Sequence, residues 1–282
     1  MNEAIPTLVE TDWLANNLGR DDIRVVDATW YLPTVGRTGI DNYTEGHIAG
    51  AVFWDIDAIA DPTSHLPHMM PDEVTFEGHM KEIGIGSEYH VVVYDNTKMM
   101  TAPRVWWSLR AFGHYTVSIL NGGQDKWVAE NRPLTTDAPD IPETAFAASF
   151  NPDMFRTLEQ VWKNVASRDE QILDARAAGR FNGSEPEPRP GCRSGHIPES
   201  NNLPFNELID PEIGTIKSPK DIKAYLDGAG IADTRPVVTT CGSGITACVL
   251  ALGLHLTGRN DVAVYDGSWT EWGGRADTPV AS

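Results

Sequence analysis

The chain aligns with itself. Displaced by about 147 residues, Val25-Val26-Asp27-Ala28 falls on Ile172-Leu173-Asp174-Ala175, and Gly46-His47-Ile48-Ala49 on Gly195-His196-Ile197-Pro198. The run Val91–Asp95 then falls on Val237–Cys241, and Asn121-Gly122-Gly123-Gln124-Asp125-Lys126-Trp127 on Asp266-Gly267-Ser268-Trp269-Thr270-Glu271-Trp272. Chance does not keep four matches in order. The period is too long for a solenoid repeat and suits one domain, so the chain is expected to hold two tandem copies of one fold. Its 282 residues are enough for two cores.

The seam is the stretch Pro133-Leu134-Thr135-Thr136-Asp137-Ala138-Pro139-Asp140-Ile141-Pro142, which has three prolines and no helical period. It fits an extended linker and sets the expected domains at 1–148 and 149–282. Within each copy, β-branched runs (24–26, 90–94, 116–120; later 262–265) alternate with helix-period stretches (101–113 and 246–258). Such alternation predicts an α/β fold, a mainly parallel sheet flanked by helices in each copy, with ligands at the carboxyl ends of the strands.

Lys and Arg number 22 against 40 Asp and Glu, a net charge of -18. That balance repels nucleic acid and anionic membranes, so neither is an expected partner, and an anionic substrate needs a local basic pocket. The start, Met1-Asn2-Glu3-Ala4-Ile5-Pro6, lacks the basic flank and apolar stretch of a signal peptide, which makes the cytoplasm the expected location. Cys192, Cys241 and Cys248 have no zinc-site spacing, so reduced thiols and no metal are expected.

Chemistry concentrates in Val237-Val238-Thr239-Thr240-Cys241-Gly242-Ser243-Gly244-Ile245-Thr246-Ala247-Cys248: a strand, a cysteine, a glycine-rich turn and a helix. At such a strand end a thiolate faces backbone N–H groups and the positive end of a helix, which stabilise it as a nucleophile. The plainer alternative is a buried structural cysteine. Cys248, among Val249, Leu250, Leu252 and Leu254, reads as core, and Cys192, between Gly191 and Arg193, as an exposed surface thiol or, less simply, a redox group. A cysteine loop entering a helix also describes tyrosine phosphatases, but position 247 is Ala, without the guanidinium a phosphoryl dianion needs. The loop suits sulfur instead, since inward N–H groups can hold a persulfide anion. Asp95 stands where the second copy has Cys241, so the first copy is catalytically silent. It is expected to wall the active cleft; Arg104 either points into that wall or, on the plainer account, snorkels from its apolar helix.

These residues resemble the two-domain rhodanese family over nearly the whole chain. The likeness is carried by Asp27–Pro33, Gly46–Ala51, Phe53–Asp57 and Ala102–Trp107 in the first half. In the second half it is carried by Asp174-Ala175-Arg176, Gly179-Arg180-Phe181, Glu185-Pro186-Glu187-Pro188-Arg189, Gly195–Pro198, the Cys241 loop and Asp266–Trp272. Ala49 departs from the proline usual there. The thiosulfate enzymes of the family carry cationic side chains where this loop has Gly242 and Ser243, so the chain is more similar to the 3-mercaptopyruvate branch, whose keto-acid substrate is a monoanion.

The resemblance implies that Cys241 is the nucleophile and that Gly242, Gly244, Ile245 and Thr246 line the donor. It implies too that Arg180 and Arg189 hold the carboxylate and ketone through parallel N–H bonds. From composition alone, those arginines would be solvated and paired to Glu185 and Glu187. It further implies a proton relay from a histidine to Ser243. His47 is the expected partner, weighed against a purely structural role, whereas His196 reads as structural.

The expected activity is transfer of sulfur from 3-mercaptopyruvate through a Cys241 persulfide to cyanide or a thiol such as thioredoxin or a low-molecular-weight thiol. Pyruvate is released, no cofactor is needed, and the enzyme is expected to act as a monomer. The alternatives are a thiosulfate sulfurtransferase and a non-catalytic module that carries a persulfide or senses redox state.

Overall fold

The computed structural model describes residues 5–282. Residues 1–4, on which the expectation of no leader partly rests, lie outside the described residues. The chain divides into two compact units. The first runs to Pro62 and adds Met70–Phe150 and Ile209–Ile216; the second comprises Thr63–Met69, Asn151–Leu208 and Lys217–Ser282. The division is therefore not a single cut: a loop from each half is lodged in the other unit.

The first unit is built on five strands, β1 Leu8–Val9, β2 Ile23–Asp27, β3 Val52–Phe53, β4 His90–Tyr94 and β5 Val117–Leu120, in the order β1-β5-β4-β2-β3. The second repeats this with β6 Phe155–Arg156, β7 Gln171–Asp174, β8 Ser200–Asn202, β9 Val237–Thr240 and β10 Val262–Tyr265, in the order β6-β10-β9-β7-β8. Every pairing between these strands is parallel. Parallel strands covered on both faces need apolar side chains on both, and the central strands His90-Val-Val-Val-Tyr94 and Val237-Val-Thr-Thr240 are buried almost throughout.

The helices follow the same scheme. The first unit has α1 Thr11–Asn17, α2 Gly39–Glu45, α3 Glu73–Glu82, α4 Ala102–Ala111 and α5 Gly123–Ala129. The second has α6 Leu158–Ser167, α7 Ala178–Phe181, α8 Pro219–Gly228, α9 Ala247–Leu256 and α10 Ser268–Trp272. Thr38 and Thr157 close capping boxes on α2 and α6, satisfying the amides that a helix start leaves bare. Helix α9 is apolar all round and buried from Ala247 to Leu254, as a helix must be when it has no polar face. Equivalent positions fill both cores: Leu14, Val25, Ile48, Val92, Leu120 and Trp127 in one, and Val161, Ile172, Ile197, Val238, Tyr265 and Trp272 in the other.

Arg104 departs from the plainer expectation. It is 2% exposed, with its guanidinium 5.2 Å from the Trp107 ring, and does not snorkel to solvent.

Candidate active site

Cys241 sits just past the end of β9 and is 2% exposed. Its backbone is held from the start of α10. The Cys241 amide donates to the Ser268 hydroxyl at 3.1 Å, and the Trp269 amide donates to the Cys241 carbonyl at 2.9 Å. The next carbonyl, of Gly242, accepts from the Thr270 amide at 2.9 Å and its hydroxyl at 2.6 Å. The turn then passes through Gly244 at φ +82°, a conformation that a side chain resists, and enters α9 at Ala247. Along it, Ser243 and Ile245 are buried and Thr246 is half-buried. Cys248 is fully buried, as expected of a core residue, and its thiol donates to the Gly244 carbonyl at 3.3 Å.

Two residues that touch this loop have left-handed backbones although neither is glycine: His68 at φ +63° and Ser268 at φ +48°. Such conformations cost about 1–3 kcal/mol and persist where surroundings impose them. For Ser268 the compensation is visible. Its hydroxyl accepts from Cys241 and donates to the Tyr265 carbonyl at 2.7 Å. Its counterpart in the first copy is Gly123, also at positive φ, where an added Cβ would lie 2.2 Å from the Asp95 carbonyl oxygen.

The histidine facing Ser243 is His68, not His47. His68 Nδ1 lies 3.2 Å from the Ser243 hydroxyl and 3.3 Å from its carbonyl oxygen, within the second unit, to which residues 63–69 belong. The expected His47 relay is corrected on physical grounds. His47 stacks on Tyr43 at 4.0 Å, and its two ring nitrogens face the carbonyls of Tyr43 at 2.9 Å and Asp137 at 3.1 Å. Carbonyl oxygens accept and never donate, so His47 is engaged as a structural tie. His196 has the structural role expected of it, with Nδ1 2.8 Å from the Phe181 carbonyl and the ring stacked on Phe181.

Both expected arginines reach the loop. A Cβ at Gly242 would lie 3.3 Å from Arg180 Nη2 and 4.0 Å from Arg189 Nη1. Arg189 Nη1 also donates to the Thr270 hydroxyl at 3.4 Å. Arg180 pairs with Glu187 through Nη2 at 2.5 Å and Nε at 3.3 Å. That pairing is what composition suggests, but the Glu187 side chain is only 4% exposed, so the pair is no solvated surface contact. Glu187 also takes Arg176, whose guanidinium lies over the Trp269 ring and grips Asp174. Burial pushes the Asp174 carboxyl up, while the Arg176 charge pulls it down.

Beside the loop opens a cleft of about 660 Å³, lined by Ser64, His65, Pro67, Arg189, Cys192 and Thr270 among others. Cys192 is half-buried against the second core rather than exposed. Burial first, and then the Glu187 charge, push its thiol up, which suppresses the thiolate a reactive cysteine needs. Among the described residues, no cluster of His, Cys, Asp and Glu could hold a metal ion, and no helix is long and apolar enough to cross a membrane.

The first copy shows what such a loop does. Asp95 Oδ1 accepts from the amides of Thr97 and Met99, each at 3.0 Å, and Oδ2 from Thr101 at 2.8 Å and Ala102 at 2.7 Å. Four backbone donors thus converge on one anion, the nest expected of such a turn. The second loop is close but not identical, since the Cys248 amide, equivalent to that of Ala102, donates to the Ile245 carbonyl at 3.1 Å.

Four residues at the loop escape sequence reasoning in whole or in part. Ser268 carried a signal: the self-alignment sets a serine over a glycine. Thr270 lies in a recognisable segment, but its contact depends on how two loops fold back; for Glu187 the pairing with Arg180 is expected, and its burial and its second partner Arg176 are not. His68 falls outside the repeated motifs, and the repeat favours the matched His47.

A family model described as the rhodanese-like domain matches residues 10–130 and 157–275. The 3-mercaptopyruvate sulfurtransferase of Mus musculus is 43% identical over 275 residues, covering 95% of this chain and 92% of the relative. The thiosulfate sulfurtransferase of the same organism is 44% identical over 277 residues, with the same coverage of 95% and 92%. Among solved structures, the 3-mercaptopyruvate sulfotransferase of Escherichia coli aligns with a TM-score of 0.86 at 39% identity, over 93% of this chain and 98% of that one.

Proposed function

Since the chain belongs to the rhodanese family and carries its domain twice, we propose that it is a sulfurtransferase taking sulfur from 3-mercaptopyruvate, with Cys241 as the carrier. Relatives named for either donor are equally similar, so overall identity does not choose between them. The observation that carries the choice is the loop itself. Cys241-Gly242-Ser243-Gly244-Ile245-Thr246 has no cationic side chain, and the guanidiniums of Arg180 and Arg189 flank Gly242 from outside it. That arrangement suits a carboxylate held at a distance from the reacting sulfur.

In the proposed reaction the Cys241 thiolate attacks the thiol sulfur of the donor. A sulfur–sulfur bond forms, the carbon–sulfur bond breaks, and its electron pair passes into the enolate of pyruvate. Arg180 and Arg189 bind the carboxylate and ketone, and their N–H donors stabilise the enolate oxygen as it develops. The proton released from the donor thiol is taken up through Ser243 and His68 and returned to the enolate carbon. The persulfide left on Cys241 is an anion at the mouth of a helix and a turn of backbone donors. A second thiol, small or on a thioredoxin-type protein, attacks the outer sulfur and restores Cys241. Free thiols at all three cysteines suit a reducing compartment such as the cytoplasm.

Intact-mass measurement after addition of mercaptopyruvate tests this. The wild type gains the mass of one sulfur atom and Cys241→Ser gains none. An unchanged rate of pyruvate release from Cys241→Ser overturns it. A larger kcat/KM for thiosulfate than for mercaptopyruvate gives the donor role to thiosulfate. Sulfur loading without turnover to any small thiol makes the protein a carrier instead.

A further inference from the structure

Four charged side chains lead from the interior of the second unit to the cysteine loop. Asp174 and Arg176 form the buried end, each side chain 1% exposed and joined through Nη2 and Oδ2 at 2.6 Å. Arg176 Nη1 reaches one oxygen of Glu187 at 2.7 Å, and the other oxygen takes Arg180 Nη2 at 2.5 Å. Arg180, 24% exposed, is the outer end, and its Nη2 is the nearest side-chain atom to a Cβ placed on Gly242, at 3.3 Å. Two carboxylates balance two guanidiniums, so the chain is neutral as a whole. Its outermost group still presents N–H donors toward the loop.

We propose that Glu187 sets donor selectivity. By binding Arg180 from behind, it keeps the guanidinium oriented for hydrogen bonding while cancelling its charge. The site then recognises a carboxylate by geometry and gains little from a second negative charge on the donor. A singly charged keto acid is favoured, and a doubly charged donor such as thiosulfate is held back. Glu187 is a positioning residue that acts through Arg180, and its role rests on the proposal that Arg180 binds the donor.

Two substitutions that remove the Glu187 charge test it. Glu187→Gln keeps the shape of the side chain and removes one negative charge. The ratio of kcat/KM for thiosulfate to kcat/KM for mercaptopyruvate should rise on the order of tenfold, and the rise should shrink as salt screens the added charge. Glu187→Ala, which removes the same charge with no amide to place among the arginines, should raise the same ratio by a similar factor. It keeps the test open should Glu187→Gln not fold. A purely structural role lowers both donors together, and a constant ratio in the folded variants overturns the inference. A wild type that takes up no sulfur from mercaptopyruvate overturns the parent proposal as well, so the two failures are told apart by the wild-type control.

Discussion

The Ser268 hydroxyl accepts the amide of Cys241 at 3.1 Å from a residue whose own backbone lies at φ +48°. Removing the hydroxyl leaves a buried donor unsatisfied, a loss of about 1–3 kcal/mol. Ser268→Ala should therefore lower stability by that amount and reduce kcat, because the backbone of the nucleophile loosens. Ser268→Gly loses the same bond but relieves the left-handed strain, so urea denaturation should find it less destabilised than the alanine variant. The reverse order would mean that the strain at this position is negligible.

His68 and His47 should separate cleanly. His68→Ala is expected to lower kcat with mercaptopyruvate by at least about tenfold with a smaller change in KM, the signature of a lost proton-transfer group. His47→Ala removes a stacked ring tied to Tyr43 and Asp137, so it should reduce the melting temperature and leave kcat of the folded protein unaltered. Steady-state kinetics beside thermal melts on both variants give the comparison.

Asp27 gives the fold a pH dependence. Burial lifts its carboxyl to about 6, against the pull of the Thr29 amide bonded to it at 2.9 Å. The folded value lies above the unfolded one, so the stability this group contributes is complete below about pH 4 and is lost as pH rises through about 6. The span corresponds to about 3 kcal/mol. Asp27→Asn cannot ionise, so it should be more stable than the wild type at pH 7, with the advantage vanishing by pH 4. Urea midpoints of the two proteins across this range measure the difference, in which other titrating groups cancel. A constant gap across the range would exclude Asp27 as the source.

Asp95→Asn replaces one of the two oxygens on which four amides converge, leaving about half of those donors without an acceptor. The expected cost is about 3 kcal/mol. Because those four bonds stay within its own loop, sulfur turnover per folded molecule should not change. Denaturation midpoints and active-site titration of Cys241 check the two halves of this statement.

The duplication, the order of strands and helices and the place of Cys241 are legible in the sequence for one reason: each depends on local pattern. Apolar runs mark β4 and β9, Gly244 marks the turn, and the offset between copies sets Asp95 against Cys241. Arg180 and Arg189 are legible through their motif. The partners of these residues are not, because they depend on the paths of irregular segments. His68 reaches Ser243 across 175 positions of sequence, Thr270 reaches Gly242 by the fold of α10 against the loop, and Glu187 is buried while it joins Arg176 to Arg180. The self-alignment misleads at His47 for a physical reason: equivalence between copies marks what both need to fold, not what the Cys241 loop needs for chemistry.

The carboxylate of Asp95 fills the centre of the first loop. A turn of inward-pointing amides is a field in need of an occupant, and this half of the molecule has one built into its covalent structure. Its loop is consequently finished when the chain folds and has no further state to visit. The first copy thus holds, inside the same polypeptide, a static version of the anion-in-a-nest arrangement that a persulfide on Cys241 would complete in its twin.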